Sequence, residues 1–250
     1  MGNSALAITD EHNALADAAT GLLQRLGSRA AARATLDDGS SHPAGFWTAA
    51  AELGWQGLAI PEAYGGSGFG LPELAVVLEV QGRELCPGPF LPSVVAATVI
   101  DRCAAEPLRA RLLPGLADGS TVAALGRSGE VTLDAATVSG SSPAVLGAPD
   151  AALLVIVAGD DVVVVDADAD GVTVTPLDSL DTTRSIGAVT LQQVTVAPEC
   201  VLRGAAAKAH TAFRILAAAE AVGTSWAALD MAVEYAKVRE QFVRTIGTFQ

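Results

Sequence analysis

The stretch EYAKVREQFVRTIGTFQ, residues 234–250, joins the end of an amphipathic helix to a basic and aromatic cluster. The helical pattern runs up to Lys237, and the cluster comprises Arg239, Phe242, Arg244, Phe249 and Gln250. A guanidinium offers planar, permanently charged donors that suit a pyrophosphate, and a glutamine offers both a donor and an acceptor. A solvated basic patch that complements a helix C-terminus has the same pattern, so both interpretations stay open.

The composition is that of a globular protein with an acidic charge balance. Half of the 250 residues are hydrophobic, 17% are charged, and 15 basic residues face 28 acidic ones for a net charge of −13. This excess of acid argues against nucleic acid as the main partner, because phosphate binding needs a basic surface. The longest apolar runs, near residues 151–158, are far shorter than the ~20 residues that span a bilayer. We therefore expect no nucleic-acid and no membrane partner.

The N-terminal sequence and the cysteines favour a cytoplasmic protein. MGNSALAITDEH has neither the basic region nor the apolar stretch of a secretion signal. Cys86, Cys103 and Cys200 are odd in number, and no two of them have metal-ligand spacing. We expect reduced thiols and no metal site.

The patterning changes twice along the chain and predicts an α+β protein of three parts. Residues 1–119 have helical periodicity, beginning with a helix capped by Thr9 and followed by acidic residues in its first turn. Residues 120–203 contain short β-branched runs separated by Gly, Asp and Pro, which predicts an antiparallel β domain with a hairpin turn at the sequence GDD. Residues 204–250 return to helix and form the start of a C-terminal helical bundle.

The last helix carries an apolar stripe that predicts further helices packed against it. Its members follow one another at alternating spacings of four and three: Ile215, Ala219, Val222, Trp226, Leu229 and Val233. No helical pattern follows in the sequence, so we expect this helix to be unpartnered.

Several shorter motifs do not carry a function. DADADG, residues 166–171, begins like a calcium loop, but Leu177 stands where the last ligand should be, so a solvated hairpin end is the better interpretation. GGSGFG, residues 65–70, lacks the strand–turn–helix context of a nucleotide site and predicts a structural loop. The three histidines are isolated in sequence and are interpreted as surface or helix-end residues: His12, His42 and His210.

The terminal stretch resembles the acyl-CoA dehydrogenase family, whose pattern is similar to Tyr-Ala-x-x-Arg-x-Gln-Phe-Gly-x-x-Ile-Gly-x-Phe-Gln. Val243 replaces the usual glycine, and the matching residues are Tyr235, Ala236, Arg239, Gln241, Phe242, Ile246, Gly247, Phe249 and Gln250. The segment 52–85 resembles the N-terminal helical domain of the family, and SLDTTRSIGAVTL, ending at Leu191, resembles its β domain. The resemblance covers nearly the whole chain.

The resemblance implies a fold, a cofactor and partners. The family fold is an N-terminal helical domain, a middle β domain and a C-terminal helical bundle, of which this sequence contains the first helix. In the family, the residues matching Arg239 and Gln250 contact the FAD of a neighbouring subunit, so these two are the expected cofactor-binding residues. The implied partners are an acyl-CoA substrate, an electron-transfer flavoprotein or similar acceptor, and other subunits of a homo- or hetero-oligomer.

The sequence departs from the family pattern at its own flavin-binding segments. The family segment Thr-Glu-Pro-x-x-Gly-Ser-Asp corresponds to residues 122–131 here, which keep neither Glu-Pro nor Gly-Ser-Asp. Ser142 stands where the family has a lysine, and Ala144, Val145 and Leu146 stand for Trp-Ile-Thr. An alanine cannot supply the stacking area of a tryptophan. The chain resembles the site-poor N-terminal half of paired or fused actinobacterial members, some of which act on bulky thioesters such as steroid side chains.

The catalytic carboxylate of the family has no clear counterpart, and three functions follow as alternatives. At the position that one branch uses for the base, the alignment places Phe213; Glu220 lies two turns further and is a weak candidate. The leading hypothesis is an FAD-dependent acyl-CoA dehydrogenase or a part of one. The second is a non-catalytic subunit that completes the FAD site of a homologue, and the third is an acyl-CoA oxidase-like enzyme.

Overall fold

The computed structural model describes residues 9–38 and 45–249. Within these ranges six helices come first, and the fifth is the most deeply buried of them. Their bounds are α1 Asp10–Arg25, α2 Ser28–Asp38, α3 Gly45–Glu52, α4 Leu71–Glu84, α5 Phe90–Cys103 and α6 Glu106–Ala117. Helix α5 is buried on nearly all sides, which explains its apolar sequence without a polar face.

Helix α1 begins at the predicted cap, and His12 takes part in it. The His12 amide donates to Thr9 Oγ1 at 3.3 Å, and the Thr9 amide donates to His12 Nδ1 at 3.1 Å. His12 Nε2 lies 3.0 Å from Glu73 on α4. The helix-end interpretation of His12 is therefore confirmed, but the ring is largely buried in an interhelical contact instead of lying free on the surface. His42 lies outside the described residues.

An eight-stranded sheet follows the helices. The strands are β1 Ala123–Gly126, β2 Glu130–Asp134, β3 Thr137–Leu146, β4 Leu153–Ala158, β5 Asp161–Asp166, β6 Val172–Pro176, β7 Ile186–Thr195 and β8 Val201–Leu202. Their order is β6-β7-β3-β1-β4-β5-β8, and β2 pairs with β3. The prediction of a wholly antiparallel sheet is wrong at one place, since β1 pairs with β4 in parallel.

Two predicted turns have different outcomes. Strands β4 and β5 form an antiparallel hairpin across Gly159, whose φ is +62°, so the turn predicted at GDD is confirmed. The DADADG segment is not a hairpin end, because it connects β5 to β6 and these strands are not neighbours in the sheet. Among the described residues, no three His, Cys, Asp or Glu side chains come together as a metal site.

The sheet is buried on both faces in its centre. One apolar cluster joins the helices to one face of the sheet through Leu125, Val155 and Val164. A second cluster covers the opposite face and includes Ile156 and Val163. Burial on both faces explains why β4 and β5 are continuous apolar runs without the usual alternation.

The long helix α7, Ala206–Val238, packs against α4 and α5 through small residues. A Cβ on Gly82 would overlap the carbonyl of Glu220, and a Cβ on Gly223 would overlap that of Glu79. Thr224 Oγ1 also donates to the Gly82 carbonyl at 3.1 Å. The expectation that this helix is wholly unpartnered is therefore wrong, because the small-residue face brings the two backbones into contact.

Five members of the predicted apolar stripe of α7 are 43–51% exposed: Ile215, Val222, Trp226, Leu229 and Val233. Their exposure agrees with the sequence prediction. The sixth member, Ala219, packs against the first apolar cluster, and Ile215 also lines a cavity beside α4 and α5. No helix of the described chain is long and apolar enough to cross a bilayer.

A short hairpin follows α7. Its strands are β9 Glu240–Gln241 and β10 Arg244–Thr245. The two loop residues, Phe242 and Val243, have φ of +51° and +68°. Two consecutive positive φ values define a type I′ turn, which normally takes Asn-Gly, so a β-branched residue here is strained.

Candidate functional site

Arg239 lies at the junction between α7 and the terminal hairpin. Its amide donates to the Tyr235 carbonyl at 2.9 Å, and its carbonyl accepts from the Ile246 amide at 2.8 Å. The backbone is therefore fixed, while the side chain is exposed and has no hydrogen bond or ion pair to the described residues. Gln250, the second predicted FAD contact, lies outside them, so the structure positions Arg239 alone.

The terminal hairpin carries Arg244 beside an exposed apolar tip, and Arg239 directly precedes it. Phe242 and Val243 are 87% and 101% exposed. Phe242 meets Phe249 edge to face, with ring centres 6.5 Å apart, and Arg244 Cζ lies 3.9 Å from the centre of the Phe249 ring. The tip is thus arranged by its own aromatic contacts and faces solvent.

Arg127 occupies the segment that corresponds to the Glu-Pro motif of the resemblance. It directly follows β1, and its Cζ lies 3.5 Å from the centre of the Phe213 ring on α7. Burial lowers the pKa of Arg127, and none of the described carboxylates forms an ion pair with it. A cation over an aromatic face is attracted to it, so Arg127 and Phe213 hold each other in the position where the family has polar groups.

The residues at the Lys and Trp-Ile-Thr positions differ in burial: Ser142 and Val145 are buried, Leu146 packs partly buried against the first apolar cluster, and Ala144 is exposed. Ser142 is buried, and its hydroxyl donates to the Ser128 carbonyl at 2.6 Å. Val145 is fully buried in the second apolar cluster. The register of β3 against β7 shifts between Ser142 and Val145, which marks an irregularity there. None of the four side chains is aromatic, and the Ser142 hydroxyl is already engaged, so they offer a flavin no stacking ring and do not fit an FAD held by this chain alone.

Glu220 is engaged in an ion pair and is not a free base. Arg184 donates to it from both terminal nitrogens, at 2.9 Å and 3.1 Å. Asp181 lies 3.3 Å from Nε of the same guanidinium. Burial opposes the charged form of Arg184, but Glu220 and Asp181 outweigh it and raise the pKa of Arg184. Glu220, the weak candidate for the catalytic base, is therefore bound by Arg184 in this structure.

The glycine-rich segment GGSGFG is a structural loop, as predicted. The amides of Ser67, Gly68 and Phe69 donate to carbonyls of residues 57–60 at 2.9 Å each. These donors are used within the chain, so they do not form a phosphate cradle.

The fold defines the class of protein: a helical domain packed on a β sheet, followed by a long helix and an arginine-bearing hairpin. The family model described as "Acyl-CoA dehydrogenase, N-terminal domain" matches residues 9–120. The acyl-CoA dehydrogenase IpdE2 of Mycobacterium tuberculosis is 32% identical over 249 residues, covering 96% of this chain and 68% of that protein. The chain belongs to the acyl-CoA dehydrogenase family, which confirms the resemblance and the α+β fold class.

Two further comparisons show how much of each relative this chain covers. The acyl-CoA dehydrogenase FadE34 of the same organism is 33% identical over 253 residues, but the chain spans only 34% of its length. The crystal structure of the ChsE4–ChsE5 complex from Mycobacterium tuberculosis has a TM-score of 0.89 and 25% identity, covering 98% of this chain and 71% of that chain. The relatives therefore contain sequence that this chain does not.

Proposed function

We propose that this chain works in the FAD-dependent α,β-dehydrogenation of an acyl-CoA thioester as part of a multi-subunit or fused enzyme. In this proposal Arg239, with Gln250, contacts an FAD seated on a neighbouring subunit. The exposed and unpaired side chain of Arg239 beside a fixed backbone supports this role, because a guanidinium suits a pyrophosphate. The likeness to the ChsE4–ChsE5 complex supports an assembly of unlike chains.

The proposed reaction needs a carboxylate base, and neither position considered for it presents a free carboxylate in the described part of the chain. The base would remove the α-proton of the thioester, and a flavin held on the neighbouring subunit would supply the acceptor for the hydride from the β-carbon, giving an α,β-unsaturated thioester. The base must lie within hydrogen-bond reach of the proton. Phe213 has no titratable group, and Glu220 is held by Arg184. We propose that the base comes from a different polypeptide segment or subunit.

The second candidate is a non-catalytic subunit that completes the FAD site of a homologous dehydrogenase. The observation that favours it is the closed arrangement at the chain's own flavin segments. Arg127 lies over Phe213, and Ser142 is bound to Ser128. A subunit that cannot hold flavin by itself can still supply Arg239 to another.

A visible absorption spectrum after loading with FAD and desalting tests the proposal. We expect the chain alone to be colourless, and a complex with a full-length acyl-CoA dehydrogenase subunit to retain flavin bands. The variant R239A should weaken FAD retention by the complex, while R25A, an exposed arginine on α1, should not. Stoichiometric flavin and independent activity in the chain alone would contradict the proposal.

Turnover with substrate then separates the enzyme types. An active complex that reduces an electron-transfer flavoprotein without forming peroxide is a dehydrogenase, and one that forms peroxide is an oxidase. A complex in which this chain raises flavin retention without changing the turnover per bound flavin supports the non-catalytic alternative.

A further inference from the structure

A cavity of about 420 Å³ opens between the start of α4, the end of α5 and the start of α7. Its volume lies in the range of about 300–1,000 Å³ that is usual for small-molecule sites. Much of its lining is apolar, with Leu71, Val99 and Ile215 contributed by three different helices. None of its lining residues belongs to the Arg127–Phe213 contact or to the terminal hairpin, so the cavity is separate from the site described above.

Two cations border this cavity without carboxylate partners. Arg102 and Lys208 both line it, and neither forms an ion pair with the described carboxylates. Other cations of this acidic chain do form such pairs: Arg29, Arg83, Arg109, Arg184, Arg203 and Lys237. Two neighbouring cations without an acid favour an anion, even in a chain with a net charge of −13.

The acidic residues closest to Arg102 lie outside the lining of this cavity. Asp101 is bound by Arg109 at 2.7 Å. Asp101 and Glu62 line a neighbouring cavity of about 340 Å³, which Arg102 also borders. No aspartate or glutamate is among the described residues that line the larger cavity.

Cys103 lines the cavity together with Arg102 and Lys208. Burial raises the pKa of its thiol, Lys208 and Arg102 act to lower that pKa, and Asp101 acts to raise it. The cavity therefore joins an apolar surface to a paired cationic border, a combination that suits a molecule with an aliphatic body and an anionic head.

We propose that this cavity is a second ligand site, which binds an unbranched aliphatic carboxylate of about ten carbon atoms, sized to the cavity. The carboxylate lies between Arg102 and Lys208, and the chain lies along Leu71, Val99 and Ile215. This site needs no flavin and none of the residues of the proposed dehydrogenation. A failure of either proposal therefore leaves the other untouched.

Titration calorimetry of the 250-residue chain with sodium decanoate, at concentrations below micelle formation, tests the site. We expect one decanoate per chain, and at least a tenfold loss of affinity in the double variant R102Q/K208Q. The exposed variant R25Q is the matched control and should bind decanoate as the unchanged chain does. Decanol, which has the same chain without the charge, should bind at least tenfold more weakly.

Alkylation of Cys103 by iodoacetamide, followed by mass spectrometry, locates the ligand. We expect decanoate to slow this alkylation, because Cys103 lines the cavity. The variant A207W should abolish both protection and binding, since Ala207 is an exposed residue of the lining. The variant A207W keeps Arg102 and Lys208, so it tests the site even if R102Q/K208Q does not fold.

Four results would overturn the proposal. They are an absence of saturable decanoate binding, equal binding of decanol, unchanged affinity in both R102Q/K208Q and A207W, and a Cys103 that is unreactive without ligand. The alkylation is run at high pH, because burial raises the pKa of Cys103 and lowers its thiolate fraction; an unreactive Cys103 under these conditions means that polypeptide covers the cavity.

Discussion

Arg184 and Glu220 form a bidentate ion pair that links the loop before β7 to the middle of α7. The two N···O distances are 2.9 Å and 3.1 Å, and the side chains are only 18% and 13% exposed. Because a planar guanidinium matches a carboxylate in this geometry, the pair fixes α7 relative to the β sheet. The close packing at Gly82 and Gly223 fixes α7 relative to α4. The position of α7 in turn places Phe213 under Arg127. It also determines the position of Arg239, which lies between α7 and the hairpin.

Removing one partner of this pair should destabilise the chain strongly. We expect E220Q to lower the free energy of unfolding by about 2–4 kcal/mol, because Arg184 keeps its charge in a largely buried position. The double variant R184M/E220M should lose less than E220Q, since no unpaired charge remains in a buried position and the half-exposed Asp181 is solvated. Urea unfolding measures both, with E234Q as the control for an exposed pair, expected to change by less than about 0.5 kcal/mol. A change as small in E220Q as in E234Q would contradict the expectation.

Gly223 should not tolerate a methyl group. A Cβ there would overlap the Glu79 carbonyl, and backbone cannot move aside as a flexible side chain does. We expect G223A to lower the free energy of unfolding by about 1–3 kcal/mol.

The matched control for Gly223 is another glycine within a helix. A Cβ on Gly21 of α1 would meet only the end of the Arg25 side chain, at 3.3 Å. We expect G21A to stabilise by up to about 1 kcal/mol, because alanine is the better helix former. Thermal unfolding compares the two variants, and equal effects would mean that the α4–α7 contact does not require glycine.

This contact shows what the sequence could and could not predict. Periodicity correctly predicted a long last helix and the exposed stripe of bulky residues on it. It did not predict the packed face, because glycine and alanine give little hydropathic signal and the match between Gly82 and Gly223 exists only in three dimensions.

In the candidate site, too, the sequence predicts features that depend on neighbouring residues and misses those that depend on distant ones. Local motifs predict Arg239 at the end of the helix and the departures from the family pattern at the flavin segments. The pairs Arg184–Glu220 and Arg127–Phe213, like the parallel pairing of β1 with β4, join residues far apart in sequence. No spacing rule links such residues, so only the folded chain reveals that Glu220 is occupied. The domain boundaries 1–119, 120–203 and 204–250 stay a prediction, since one apolar cluster crosses from the helices into the sheet.

Val243 should be replaceable by the glycine that the family pattern has at this position. Its φ of +68° costs a non-glycine residue about 1–2 kcal/mol, and its side chain is fully exposed and gains no packing. After the entropic cost of glycine, we expect V243G to stabilise the hairpin by about 0.5–1 kcal/mol. Amide hydrogen exchange in residues 240–245 should then slow by about two- to fivefold.

The control for Val243 is Val238, the last residue of α7. Glycine should weaken a helix there, so V238G is expected to speed amide exchange near the helix end. Faster exchange of the hairpin amides in V243G would mean that the valine side chain holds the turn, and the strain argument would be wrong.

The apolar stripe of α7 should make the isolated chain associate. Trp226 and Leu229 are half exposed, three residues apart on one helical face, and exposed apolar patches of this kind mark interfaces or aggregation. We expect the mass from light scattering to rise with concentration, and W226S/L229S to reduce both this rise and the binding of an apolar dye several-fold.

Met231 provides the control for the stripe. It is 66% exposed but lies two residues from Leu229, on a different side of the helix, so M231S should leave association nearly unchanged. An equal effect of M231S would mean that exposed apolar area in general, and not the stripe, drives association. A monomeric chain with one cooperative thermal transition and no dye binding would contradict the expectation for the stripe itself. If a full-length acyl-CoA dehydrogenase subunit suppresses dye binding in the unchanged chain, the stripe is covered by that subunit, as the proposed assembly requires.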